Sequence, residues 1–425
     1  MIFQMQALAN KTQVSKAWLF LLLEHFNIIR IVIMKITDFK TFIVGNPPPS
    51  FGGKYWIFLK LTTDTGIVGF GEAYAIPFHP KVASQMIEDV CERYVLGESP
   101  FQIEKLWRKI YSSGYTQRPD ISISGVLSAI EIAMWDIVGK ELNQPIYNLL
   151  GGKVNEKLRT YTYLYPKPAD KTNVYTDANL AAERAIEYQK LGFTAVKFDP
   201  ISTYTSNDPR NLTLEELDHA ENFVRSVRTA VGKNCDILFG THGQMTPASA
   251  IRLAKRIEKF DPMWLEEPTP PANIQAMASI AKRTSIPVAT GERLTTKYEF
   301  NALLKEEAAS IIQMNLGRVG GILEAKKIAS IAEASYAQIA PHMYCGPIIA
   351  AANVQVATCI SNFLILEGIE TWSGFDSTLV KDPLKWEEGY VIPSDKPGLG
   401  IEINESELEK YPYNDDKLHL EMTDS

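Results

Sequence analysis

Eight residues able to do chemistry stand at comparable places in this 425-residue chain, each closing a short β-rich run: Lys197 and Asp199 close one, then His242, Glu266, Glu292, Asn315, His342 and Glu367 close one each. Imidazoles titrate near neutrality and can give or take a proton, and His242 and His342 close runs far apart in the series, so the two rings can face a bound molecule from opposite sides. Glu266 and Glu292 are 26 residues apart, one repeat of the pattern. That spacing sets two carboxylates at neighbouring positions, where their oxygens suit a hard cation, Mg2+ first of all. Lys197 and Asp199, two apart on one extended run, share a side. Any one of the eight is equally well read as a solvated loop residue or a satisfied polar neighbour. Their recurrence at seven successive run ends is what points to a site. Of the other histidines, His25, His79, His219 and His419 read as surface or structural residues, with His79 in a loop.

The runs that position these groups are LRTYTYLY, TAVKFD, DILFGTH, PMWLEE, IPVATGE, SIIQMN, AQIAPH and NFLILE. Between them lie amphipathic helical stretches such as LEELDHAENFVRSVRTAV, TPASAIRLAKRIEKF and ILEAKKIASIAEAS, with apolar residues recurring at three and four. Eight strands alternating with helices predict an α/β fold with a parallel (β/α)8-type barrel, whose chemistry sits at the C-terminal ends of the strands. Upstream, period-2 runs between Lys35 and Tyr74 flank the turn Asp64, Thr65, Gly66, and helical patterns follow over Lys81–Tyr94, Ile103–Tyr111 and Gly125–Glu141. These predict an α+β unit packed before the barrel. The predicted organisation is an extension over 1–33, an α+β capping domain over 34–155, a barrel over 156–375 and a tail over 376–425. The tail, punctuated by Pro and Gly and carrying the short strand GYVIP, is expected to return to the capping domain.

A net charge of −7, from 43 Lys plus Arg against 50 Asp plus Glu, argues against a protein that neutralises nucleic-acid phosphates. Cys91, Cys235, Cys345 and Cys359 show neither CxxC nor zinc spacing, which fits reduced thiols. The apolar stretch from Ala17 to Ile33 is interrupted by Glu24, His25 and Arg30, so no membrane span is expected, and no small-residue cleavage site follows it. A cytoplasmic enzyme acting on a small molecule is the expectation.

The segments SAIEIAMWDIVGKELNQPIYNLLGG, WLEEP, IPVATGERL, QMNLGRVGGI and APHMYCGP together resemble the mandelate racemase and muconate lactonizing group of the enolase superfamily, from Met34 to about Asn404. The paired histidines resemble acid-sugar dehydratases such as D-galactonate dehydratase. The resemblance implies a modified barrel with an α+β cap, a sugar-acid substrate and a homo-oligomer. It implies Mg2+ held by Glu266 and Glu292, His342 as the base that removes the proton α to a carboxylate, and His242 as the acid that protonates the departing hydroxyl. Lys197 would sit beside the substrate carboxylate, Glu367 would donate to the enediolate or hold the substrate carboxylate if protonated, and Glu267, beside the ligand, would support it from behind or be structural. The product would be a 2-keto-3-deoxy sugar acid. Racemisation, epimerisation or sugar-lactone cycloisomerisation begin from the same enolate, and a non-catalytic relative is the reading from a different class.

Two departures from the family pattern bear on this expectation. Gly240 stands where the family has an Asp metal ligand two residues before His242, and Asp199 is expected to supply the missing oxygen, with Asp236 a poorer candidate. Asn315 stands where the family has an Asp; its amide is expected to accept a hydrogen bond from His342 without stabilising imidazolium. The loops Asn46–Trp56 and Ser112–Ser122, the latter with Tyr115 and Arg118, are the candidate lids over the site. On this reading a bound divalent ion is indispensable, and thorough chelation abolishes turnover.

Overall fold

The computed structural model describes residues 34–74, 77–201 and 204–420. The apolar stretch of the extension, read above as no span, lies outside them. The capping domain begins with an antiparallel sheet, β1 (Ile36–Gly45), β2 (Tyr55–Thr63) and β3 (Val68–Ala73), in that order. Helices α1 (Pro80–Val90), α2 (Ile103–Tyr111) and α3 (Ile121–Glu141) pack on it. α3 is nucleated by Asp120, whose carboxylate accepts from the N–H groups of Ser122 and Ile123. It is apolar on nearly every side because it is enclosed: the same length and composition would suit a membrane span, but 78% of its apolar window is buried. β3 lies against it closely because Gly69 and Gly71 carry no Cβ; one added at Gly71 would meet the Ala129 carbonyl oxygen at 1.8 Å.

All eight expected barrel strands form: β4 (Leu158–Tyr163), β5 (Ala195–Phe198), β6 (Asp236–Gly240), β7 (Trp264–Glu266), β8 (Val288–Thr290), β9 (Ile311–Ile312), β10 (Gln338–Ile339) and β11 (Leu366–Gly368). Each pairs in parallel with its successor from β4 to β10, β11 pairs back onto β4, and an Ile339–Phe363 bridge closes the ring. The interior is filled by Tyr161, Ala195, Leu238, Trp264, Ala289, Ile311, Ala340 and Ile365. Two large rings, Tyr161 and Trp264, meet edge to face at 5.3 Å, and the alanines on neighbouring strands leave them room. This plug is the floor beneath the strand ends.

Seven helices follow the first seven strands: α4 (Ala178–Leu191), α5 (Leu214–Val231), α6 (Pro247–Ile257), α7 (Ile274–Ala281), α8 (Lys297–Lys305), α9 (Ile322–Ala334) and α10 (Pro347–Thr358). After β11 there is only the single turn Phe375–Thr378, then a hairpin, β12 (Lys385–Glu387) and β13 (Tyr390–Ile392), that pairs antiparallel to the start of β4. The eighth helix of a complete (β/α)8 barrel is thus missing, because Gly374, Pro383 and Gly389 break the three-four periodicity a helix needs. The tail then runs back to the cap. Gly45 N–H donates to Tyr411 O, Tyr413 N–H to Ile43 O, and Lys60 pairs with Glu405 at 2.6 Å.

Two buried glutamates of the cap hold it on the barrel. Glu131 on α3 accepts from the N–H groups of Ile322 and Leu323, the open N-terminus of α9, at 2.6 and 2.8 Å. Glu72 on β3 accepts from Gly346 and Ile349 at the N-terminus of α10, at 2.6 and 2.9 Å. A helix N-terminus offers unpaired N–H groups and partial positive charge, so each carboxylate supplies acceptors from another domain. Burial pushes both carboxyls up to about 8, against the pull of those donors.

Candidate active site

Lys197, one residue before the end of β5, is 2% exposed, and its ammonium lies 2.7 Å from Glu266 Oε1 and 3.1 Å from Glu367 Oε1. Burial opposes its charge, but Glu266, Glu367 and Glu292 outweigh burial and raise its pKa, so it stays protonated. Glu266 at the end of β7 is fully engaged: Oε2 accepts from Trp264 Nε1 at 3.2 Å and Gln313 Nε2 at 2.5 Å. Burial, opposed by Lys197, brings its carboxyl up to about 7. Glu367 Oε2 accepts from Met343 N–H at 2.8 Å. With both oxygens accepting, Glu367 is not placed as the donor expected from the sequence. Lys197 is likewise locked between carboxylates and not left free for a substrate.

The two histidines lie beyond this core, each beside a carboxylate. His242 Nδ1 is 3.3 Å from Asp199 Oδ2, with its ring centroid 5.1 Å from that of Tyr204. Burial works against its charge, yet the hydrogen bond with Asp199 and the field of Glu292 carry it up to about 9. Its backbone, at φ 48, is in the left-handed region, where a non-glycine residue is held by its surroundings. His342 Nε2 is 3.3 Å from Glu292 Oε2. Here burial prevails over Glu292 and lowers the imidazole pKa. Burial also disfavours ionised Glu292, but His342, His242 and Lys197 hold it down to about 2.

Asn315 reverses the expected hydrogen bond. Its Oδ1 accepts from Gly317 N–H at 2.9 Å, which turns Nδ2 toward His342 Nδ1 at 2.9 Å and Cys345 Sγ at 3.2 Å. The amide therefore donates to the ring, and the neutral imidazole carries its proton on Nε2, facing Glu292. Glu267, buried and at φ 40, accepts from Arg293 at 2.7 Å. Asp236 pairs with Arg159 at the far end of the barrel and has no part in the site.

The mouth is covered from the cap. In the loop Asn46–Trp56, Phe51 stacks on Tyr165 at 4.2 Å and Gly52 O accepts from Trp56 Nε1. In the loop Ser112–Ser122, Tyr115 is fully exposed. His419, read from the sequence as surface or structural, is buried here; its Nε2 is 3.0 Å from Gly52 O, and its ring packs edge-on against Tyr74 and Tyr344. Tyr74 in turn lies 5.6 Å from the His342 ring, with the Arg318 guanidinium 4.4 Å over its face. Sequence reasoning passed over Tyr74, Gln313, Arg318 and His419. Gln313 was reachable, since it precedes Asn315 by two on one strand and shares its side; His419 carried no local signal.

Matches to two family models account for most of the chain. "Mandelate racemase / muconate lactonizing enzyme, N-terminal domain" covers residues 49–151, and "Enolase C-terminal domain-like" covers 180–407. The chain belongs to the mandelate racemase/muconate lactonizing enzyme family. It is 34% identical over 386 residues to D-xylonate dehydratase of Haloferax volcanii, covering 89% of each chain. It is 32% identical over 382 residues to D-galactonate dehydratase of Cronobacter sakazakii, covering 88% of this chain and 94% of that one. Among solved structures, the family member from Sulfitobacter sp. superposes with a TM-score of 0.90 at 47% identity, covering 92% of this chain and 99% of the other.

The Mg2+ implied by the family resemblance does not fit the donor set of this member. Asp199 faces His242, Glu266 is taken by Lys197, Trp264 and Gln313, and Glu292 faces His342. Among the described residues no group of three or more His, Cys, Asp or Glu side chains could hold a metal ion. The expected triad of Asp199, Glu266 and Glu292 is therefore not assembled. The physical reason is that each carboxylate is already paired with a cationic or N–H partner of its own.

Proposed function

We propose that the protein is an acid-sugar hydro-lyase, removing the proton α to a carboxylate and expelling the β-hydroxyl as water. The observation that carries the proposal is the opposite displacement of two histidines in one mouth. His342 is held below its usual range and is neutral at pH 7; His242 is held near 9 and is protonated. Titratable groups pushed apart by their surroundings mark the base and the acid. The dehydratase names of the curated relatives support the same reaction class.

In the proposed sequence His342 Nε2 takes the α-proton, and the electron pair moves into the carboxylate to give an enediolate. The fixed positive charge of Lys197 and the dipoles of the surrounding donors lower the cost of that anion in a buried site. As the pair returns, the C–O bond at the β-carbon breaks, and the proton of His242 leaves with the hydroxyl as water. The resulting enol ketonises to a 2-keto-3-deoxy acid. His342 can accept at Nε2 only when its proton is on Nδ1. Reaching that tautomer takes a half-turn of the Asn315 amide, which gives up the bond from Gly317 N–H and offers Oδ1 to Nδ1–H.

The test is a panel of aldonic and aldaric acids assayed for semicarbazide-reactive 2-keto product, comparing the parent with His342→Asn and His242→Asn. Both variants are expected to lose turnover by about a hundredfold or more, the usual worth of a general acid or base. Proton exchange at the α-carbon without keto product would instead place the protein among racemases, and dehydration untouched by His242→Asn would remove the assigned acid.

A further inference from the structure

Gly240 ends β6 two residues before His242, and the space its missing side chain would fill is already occupied. A Cβ built there would stand 2.8 Å from Lys197 Cε and 3.6 Å from Glu266 Oε1. The lysine side chain therefore passes through the volume that a side chain at position 240 would need, and delivers its ammonium to Glu266 and Glu367. The tyrosine rings of residues 161 and 163 flank it, each with its centroid under 6 Å from Nζ. We propose that Lys197 is the resident cation of this site, its ammonium standing where a divalent ion would otherwise be gripped, and that Gly240 is the residue that admits it.

Three observations converge on this assignment. An ammonium offers three N–H donors and one charge; two donors go to carboxylates on opposite walls, β7 and β11, and the aromatic faces receive the remainder of its field. Each oxygen of Glu266 already has a donor, one of them a cation, so an entering ion would first have to displace Lys197. Displacement would cost most of the pairing energy of two buried carboxylates, because a buried charge deprived of its partner is not compensated by solvent. A tethered ammonium supplies less charge than a divalent ion but cannot dissociate.

The inference rests on the dehydratase reading only for what the cation does in catalysis. Ion binding is measured without substrate, so the two readings fail separately. The experiment is Mn2+ titration of the chelator-treated full chain followed by electron paramagnetic resonance, with the Mg2+ dependence of the thermal midpoint as a second readout. The parent is expected to leave Mn2+ free in solution and to show no Mg2+-dependent rise in Tm. Lys197→Met, which removes the ammonium, is expected to bind one Mn2+ per chain and to gain a Mg2+-dependent Tm. Should Lys197→Met fail to fold, Gly240→Asp serves, since its carboxylate both adds an oxygen ligand and pushes Lys197 Cε aside. One tightly bound Mn2+ in the parent would overturn the proposal, and so would a folded variant that binds none.

Discussion

His342 sits at the intersection of two competing influences, and Asn315 decides between them. A neutral amide lets burial depress the imidazole, whereas a carboxylate at the same place would hold Nδ1–H and favour the charged ring. The pH profile of kcat/KM is accordingly expected to be bell-shaped. Activity rises as His342 loses its proton, with a limb below 6.5, and falls as His242 loses its own near pH 9. Asn315→Asp should move the acid limb upward by about one unit or more, and should move the His342 resonance in an NMR titration by the same amount. An unmoved limb would mean that another group is the base.

At the scale of elements, the cap is fastened by carboxylates that terminate barrel helices. Glu131→Ala would leave the N–H groups of Ile322 and Leu323 and the indole of Trp135 without their acceptor in a buried place. The expected loss is about 3 kcal/mol in chemical denaturation, with Glu131→Gln losing less because one oxygen remains. Gly321→Ala should be as harmful by a different route. Its φ of 98 is left-handed, and a Cβ would fall 1.9 Å from Glu131 Oε2. If these variants unfold at the parent's midpoint, the cap is held by its apolar contacts alone. Among the strands, β9 and β10 are only two residues long, yet they place Asn315 and His342 because their neighbours on both sides fix the ring.

For the whole molecule, the tail meets the covering loop of the cap over the active site. The tail crosses back from the barrel, pairs with β1, and ends with His419 against Gly52 of the covering loop. Gly53 is what makes room, since a Cβ there would overlap the imidazole at 1.8 Å. His419→Ala should remove one of the two donors to the Gly52 carbonyl, leaving Trp56 Nε1 as the other, and loosen the Asn46–Trp56 loop, seen as faster protease cleavage within that loop and a raised KM for the sugar acid with little change in Tm. Unchanged cleavage would mean that the Phe51–Tyr165 stack holds the loop by itself. Chelation is the second test at this scale: with Lys197 as resident cation, dialysis against EDTA should leave turnover and Tm within error of untreated protein.

The order of strands and helices, the ring of polar strand ends and the family were all legible in the sequence, because local periodicity and the spacing of one βα unit dictate them. The absence of an eighth barrel helix was not read there, although Gly374, Pro383 and Gly389 break the helical periodicity after the last strand. What the tertiary structure alone decided is which polar groups pair once they converge. Spacing brings Asp199, Glu266 and Glu292 to one rim, but hydrogen-bond geometry hands them to His242, Lys197 and His342, and no one-dimensional pattern records that the Lys197 side chain fills the volume above Gly240. His419 is the same lesson at longer range. It lies 366 residues from Gly53, and only the closure of the chain upon itself turns a tail histidine into part of the roof of the site.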